Sequence, residues 1–521
     1  MSDFPLGYKI IPSVSWAYLS SLLMIALYFK FNRVWSVRNL DLLLIVLIAP
    51  GLLMVTDGAL QRKKIEDQNR STVIASAGDE ATENEATSSE QTALPEQAAA
   101  NMADVQAANV AGDSPSIDLT QLTGINSSAE LLHAVRQERN GYVILFIVAG
   151  LFATRMLIDP MMVRRPLLEP NLSIGGLTFL GASLLLFLFV NVVISKPTIE
   201  DLQVSQEGIN LLERRPNDKP VDEAMRHGPG YGPVYVLPWM ATFAASDQVL
   251  DVGHDQATKE ENRFVLVTKL MAIVCQFAVV AGLFYIGYFH FDNARMGIGI
   301  AVLYLMLPYT AEMTGRVVHI LPAALLVWAI AFYRRPWLSG IFVGMATGVF
   351  YYPLFLLPLW ISFYWRRGRW RFISGVFTMI AVLAFSLIFV STDASHYLEQ
   401  LVRMFGIWYP RMDNLQGIWS LGWDSIYRLP ILVGFGVVSF AFILWPAQKN
   451  LGTLICCSCA LMAIVQFWHG YGGGLLIGWY LPLGLLTFFR PNLEDRVALT
   501  ALSRGKRKNK NRSDENILNA A

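Results

Sequence analysis

Charge is scarce in this sequence. Only 16% of its 521 residues are Asp, Glu, Lys or Arg, against about 25% in an average soluble domain. The two signs nearly cancel, leaving a net charge of +1, so nothing in the global balance points to nucleic acid or to an acidic partner. Cysteine is scarce as well. The four, Cys275, Cys456, Cys457 and Cys459, all lie inside apolar runs, which excludes a disulfide framework and gives no zinc-ligand spacing. No phosphate-binding Gly-rich loop, dinucleotide motif, HExxH or nucleophile elbow is present, so the common soluble chemistries have no support. The first residues, Met1 to Ser15, lack the basic start and small-residue cleavage pattern of a removable leader, and the first apolar run is therefore expected to be retained.

What the chain does have is apolar length. Residues of types A, V, I, L, M, F, W, Y and C make up 54% of it, and many runs approach the roughly 20 helical residues that cross a bilayer core. Spans are expected near 14–30, 40–57, 141–158, 173–195, 264–289, 296–312, 318–333, 370–391, 429–446, 450–468 and 472–489. The run from Trp337 to Trp365 is too long for one span and carries Pro353 and Pro358. Arginines flank both its ends: Arg334 and Arg335 before it, and Arg366, Arg367, Arg369 and Arg371 after it. Basic residues in short loops mark the cytoplasmic side, so both ends belong there and the run reads as a hairpin of two short helices. The expectation is an all-α polytopic membrane protein with twelve or thirteen spans in a plasma (cell inner) membrane. Its N-terminus would lie outside and its C-terminus inside. Arg62, Lys63 and Lys64 fall on the wrong side of this scheme, at the start of a long loop where the charge rule is weak.

The expected organisation is two N-terminal spans over 1–57, a loop over 58–139, a third span with a basic turn over 140–172, the main transmembrane domain over 173–490, and a basic tail over 491–521. The 58–139 loop is rich in Ala, Glu, Ser, Thr and Gln and poor in aromatics; such a segment buries too little apolar surface to offset its ordering entropy, and is expected to be largely disordered. Residues from Ile117 to Arg139 carry a possible helix at its end.

Ionisable residues inside spans usually mark ion or proton paths. They are nearly missing here, with Lys269 the main exception, which argues against a proton-coupled transporter. Polar residues gather instead in three segments that the topology puts on one outer face. The first covers 196–262, with an apolar and aromatic end from Tyr231 to Ala245 that suits an interfacial or re-entrant helix. The second holds Glu312, Arg316 and His319. The third, 392–428, holds Asp393, His396, Arg403, Arg411, Asp413, Asp424 and Arg428 among tryptophans and tyrosines. Arginine forks match phosphate, and aromatic rings offer flat surfaces to sugars. An ordinary headgroup-level belt of Trp, Tyr and charge has the same composition, so both readings stand at this level.

Three stretches carry a family resemblance. The span 173–195 is followed by Glu200 and Asp201, then GINLLERRPNDKP, then GPGYGPVYVLP; later comes GIFVGMATGVFYYPLFLLPLWISFYWRRGRWRF. Over about residues 173–375 this pattern resembles membrane glycosyltransferases of the GT-C class, in particular the branch that uses polyprenyl-phosphate mannose. Where that branch often has a Lys before the first Pro of the later stretch, this chain has Tyr352. The resemblance implies transfer of a sugar from a polyprenyl-phosphate donor, itself held in the lipid bilayer, to an acceptor on the outer face. It assigns Asp201, with its neighbour Glu200, to the family's acidic position as general base; the alternative is a solvated loop carboxylate. Arg316, His319, Arg403 and Arg411 become candidates for the lipid phosphate, or else headgroup-facing charges, and Tyr231 and Tyr235 become candidates for sugar contact. Cofactors are not specified: no nucleotide or metal motif is visible, and a divalent cation is compatible. The rival from another class is a non-enzymatic polytopic protein, a lipid or solute transporter or a scaffold. A transporter should show related halves with breaks at matching positions, and only one broken hairpin is visible. Asp424 in GWDSIY sits at a helix entrance, where capping is the favoured role.

Overall fold

The computed structural model describes residues 13–84, 119–162, 168–197, 201–202, 256–391, 393–405, 415, 417–470, 473–493 and 496–498. Among them every regular element is a helix, and the only β contact is an isolated bridge between Asn450 and Val497. The chain divides into two compact units, Met54–Gly141 and the remainder. Among the described residues six helices are long and apolar enough to cross a membrane and six more apolar helices are shorter, which agrees with the expected all-α polytopic fold.

The main unit opens with α1 (Ser13–Tyr28) and α2 (Val37–Val46). Polar side chains satisfy the backbone between them: Arg38 donates through Nη2 to the Tyr28 carbonyl at 2.8 Å, and Asn39 Nδ2 donates to the carbonyls of Lys30 and Arg33. In a low-dielectric setting such free carbonyls would otherwise be costly. Helix α3 (Ile48–Asn84) and α4 (Leu119–Ile158) follow, then α5 (Ile174–Ile194), which Ser173 caps by accepting from the Gly176 amide.

The long helix α6 (Gln256–Phe289) and the shorter α7 (Ala294–Met306) meet at glycines. A Cβ on Gly287 would lie 2.2 Å from the Gly297 Cα, so only hydrogen fits there. In the turn joining them, His290 donates through Nε2 to the Ala331 carbonyl at 2.7 Å, and burial pushes its pKa down to about 4. The imidazole is therefore neutral at neutral pH and Nε2 is the donor. The expected span 296–312 breaks at Pro308, and a short α8 (Pro308–Met313) completes it.

The expected hairpin is present. Helix α9 (Val317–Ala331) leads to α10 (Pro336–Val349), then a 3-10 turn at Tyr352–Leu356 containing Pro353, then α11 (Leu357–Phe363). The chain returns to where it started, because Tyr364 Oη donates to the Tyr333 carbonyl at 2.6 Å. Helix α12 (Arg369–Val390) then runs beside α10 through Gly340, Gly344 and Gly375. Small residues at such crossings let backbones approach closely.

After α13 (Ala394–Phe405) and α14 (Arg428–Ala441), the core is formed by α15 (Leu451–Trp468) and α16 (Leu481–Phe489), both almost wholly buried. Asn450 and Thr453 form a reciprocal capping box at the start of α15. The described residues of the Gly-rich link from α15 to α16 are mostly buried, and they are closed by Gln466. Its Oε1 accepts from the amides of Gly474 and Leu476, and its Nε2 donates to the Leu476 carbonyl. The four cysteines are buried and free, as their apolar setting implied.

In the second unit the described parts of α3 and α4 face each other. Gly58 lies against the backbone of Glu138, Gln137 donates to Asp57 at 2.7 Å, and Arg62 pairs with Glu138 at 3.4 Å. Helix thus extends from both sides into the segment expected to be a loop over 58–139. The reason is composition: Ala, Glu, Gln, Lys and Arg are strong helix formers, and pairing supplies the partner surface that a single polar helix lacks. Residues 85–118 lie outside the described set.

Candidate functional site

One polar cavity of about 200 Å³ forms where three segments of the main unit converge. The C-terminal end of α5 brings Asn191 and Ser195, followed by Lys196, Pro197 and Asp201. Helix α6 brings Thr268 and Lys269, α8 brings Glu312, and the α8–α9 link brings Thr314 and Arg316. Each is placed for a local reason. Ser195 ends α5 by donating its amide to Asn191 O. Lys269 donates from Nζ to the Val193 carbonyl at 2.6 Å, putting a cation against the C-terminal carbonyls of α5, where the helix dipole favours it. Arg316 precedes α9 as its N-terminal flanking residue, with its amide donated to Met313 O at 3.0 Å.

The cavity holds charge of both signs. Lys196, Lys269 and Arg316 line it together with the carboxylates of Asp201 and Glu312. Asp201 is 2% exposed. Burial strengthens a carboxylate's hold on a proton and adjoining cations weaken it, while the same cations are groups that can hold a phosphate. Magnesium is commonly bound by one or two carboxylates plus substrate phosphates, and Asp201 and Glu312 would be the protein ligands of such an ion. No group of three or more His, Cys, Asp or Glu residues suited to a metal occurs among the described residues.

Of the residues singled out from the sequence, Asp201 and Arg316 share this cavity. His319 does not line it; it is buried in the first turn of α9, with Nδ1 hydrogen-bonded to Tyr309 Oη at 2.8 Å. Arg403 belongs to α13, and Glu200, Tyr231, Tyr235 and Arg411 lie outside the described residues, as does the Tyr231–Ala245 stretch. Asp424 accepts from the Ile426 amide at 2.9 Å and so caps the turn that leads into α14. Tyr352, at the position where the resembling branch has Lys, is buried in a hydrogen bond to His469 Nδ1. Lys269 and Glu312 were visible in the sequence but carried no assigned role. The available signal was the rarity of ionisable groups in the spans, which makes each one that does occur a candidate.

Residues 264–467 match the model of glycosyltransferase family 87, a GT-C-type family of membrane glycosyltransferases. No curated protein and no solved structure matches the chain. The match supports the resemblance to the GT-C class over a partial segment, one that overlaps the 173–375 stretch and continues to the end of α15. Apolar helices and family match together describe an integral membrane protein similar to membrane glycosyltransferases. Lys269, Glu312 and Arg316 fall inside the matched segment, whereas Asp201 and the N-terminal helices precede it.

Proposed function

We propose that this protein transfers a sugar from a polyprenyl-phosphate donor to an acceptor on the outer face of a plasma membrane. The observation that carries the proposal is the shared cavity of Asp201, Lys269 and Arg316, the last two inside the segment that matches family 87. A donor with its own lipid anchor needs no nucleotide-binding domain, in keeping with the missing nucleotide motifs. The cavity is smaller than the about 300–1,000 Å³ of pockets that enclose a small molecule, and suits the phosphate and reacting ring of a ligand whose lipid remains in the bilayer.

In the proposed reaction the acceptor hydroxyl oxygen attacks the anomeric carbon. The bond from that carbon to the phosphate oxygen breaks, and the electron pair leaves with the phosphate. Asp201 takes the acceptor's proton, a role worth about 10²–10⁴-fold in rate. Arg316 and Lys269 offset the charge gathering on the departing phosphate, Arg316 through its planar fork. The matching test is transfer of radiolabelled mannose from polyprenyl-phosphate mannose in purified membranes. Asp201→Asn keeps the shape and removes the base, so transfer should fall by about 10²-fold or more at normal protein levels. Transfer that survives in Asp201→Asn removes Asp201 from this role. Absence of transfer with every polyprenyl donor tried removes the enzyme reading.

A further inference from the structure

The end of the main unit where α10 and α12 begin carries a dense cationic surface that sugar transfer does not use. Between Glu312 and Asp393 the chain contains no acidic residue. Six arginines of that acid-free stretch sit in two turns: Arg334 and Arg335 before α10, and Arg366, Arg367, Arg369 and Arg371 around the start of α12. The fold ties the two turns together through the hydrogen bond from Tyr364 to the Tyr333 carbonyl, and through the contact of Gly375 with the Trp337 backbone.

Indole rings are built into the same surface. The Arg369 guanidinium lies 4.7 Å from the Trp365 ring centre and 5.2 Å from that of Trp370, so it is held against both. Those two tryptophans are 60% and 69% exposed. Gly368, at φ 98°, makes the tight turn that places them side by side; a side chain there would be strained. Arg334 is steadied in turn over Tyr333, its Nε donating to the phenol oxygen at 3.2 Å. Helices α10 and α12 both start here without a side-chain cap, which adds the partial positive charge of two helix N-termini.

A sidedness signal needs only charge. Guanidinium groups held on exposed indoles, in a stretch of sequence without a carboxylate, form a surface that attracts anions. Trp favours the headgroup level of a bilayer and Arg matches phosphate oxygens with its fork. We infer that this Arg–Trp surface binds the headgroups of anionic phospholipids in the adjoining leaflet. The inference is independent of the glycosyl-transfer reading.

The test uses the full chain in neutral detergent and native mass spectrometry, with phosphatidylglycerol and phosphatidylcholine of the same acyl chains offered together. Retention of phosphatidylglycerol should exceed that of phosphatidylcholine by on the order of tenfold, as expected for several basic groups at a lipid surface. The combined Arg366→Gln, Arg369→Gln and Arg371→Gln variant should lose that preference, while Lys at the same three positions should keep most of it. Arg366→Gln and Arg371→Gln alone, both at exposed positions, should each weaken it if the combined variant fails to fold. Equal retention of the two lipids by the unaltered protein overturns the inference, as does a preference untouched by the Gln variants. Full displacement of the lipid by an equal concentration of inorganic phosphate also overturns it, by showing a site for free anions.

Discussion

Asp159 sits at the centre of a buried ionic chain. Arg155 grips Asp41 with two hydrogen bonds at 2.6 and 3.0 Å and reaches Asp159 at 3.1 Å, while the other oxygen of Asp159 accepts from Arg490. Arg490 is 1% exposed, and its Nε and Nη1 have no hydrogen-bond partner among the described residues. Space around it is filled: a Cβ on Gly452 would overlap its guanidinium. Asp159→Ala would leave that guanidinium buried without a carboxylate, whereas Arg155 would keep Asp41. Removing one partner of a buried pair costs about 3–5 kcal/mol, while replacing both with apolar groups can cost little. Thermal unfolding in detergent should therefore show a large loss for Asp159→Ala and a smaller one when Asp159→Leu is combined with Arg490→Met. Additive losses in the double variant would mean that the two charges do not stabilise each other. None of this network was legible in the sequence, because its members lie far apart along the chain and only the tertiary fold brings them together.

At the scale of helices, glycine separates two kinds of position. A Cβ on Gly340 would fall 2.3 Å from the Phe372 carbonyl oxygen, and one on Gly375 would fall 2.2 Å from that of Trp337, so the crossing of α10 and α12 admits no side chain on either glycine. In α14, by contrast, Gly434 and Gly436 face open space within 4 Å. Gly340→Val should cost about 1–3 kcal/mol through overpacking. Gly434→Ala should be neutral or slightly stabilising, since Ala exceeds Gly in helix preference by up to about 1 kcal/mol. Urea or heat unfolding of the two variants beside the unaltered protein checks this, and equal behaviour would sink the close-packing account. The helices themselves were readable from apolar length, and the hairpin from Pro353 and Pro358 set between two groups of arginines. The break at Pro308 and the irregular, buried entry into α16 were not, because both depend on neighbours that satisfy the backbone: Gln466 does so for the second. The candidate site was half legible. Asp201 could be selected through the family resemblance and Arg316 as a polar group near a span end, but Lys269 and Glu312 join them only through the packing of α5, α6 and α8.

For the whole molecule the open matter is which end of the bundle faces which side, and the buried cysteines make it measurable. Cys275, Cys456, Cys457 and Cys459 are all buried, so a membrane-impermeant maleimide should leave the unaltered protein unlabelled; thiols react only where exposed and ionisable. Ser395, at the start of α13, and Arg366, in the turn before α12, are exposed. They flank the two ends of α12, which is long and apolar enough to cross a bilayer. If arginines mark the cytoplasmic side, Ser395→Cys should label in intact cells and Arg366→Cys only after the membrane is opened. The cavity bears on the same experiment. Asp201 follows the C-terminal end of α5, and the cavity must share the side of Ser395 for an outward-facing reaction. An introduced cysteine at Lys196, which lines the cavity, should then label from outside as Ser395→Cys does. Labelling of Arg366→Cys in intact cells would invert the bundle, placing the Arg–Trp surface outside and the proposed sugar transfer on the cytoplasmic face. Labelling of Ser395→Cys and Lys196→Cys from opposite sides would separate the cavity from the outer surface and end the single-face account of the site.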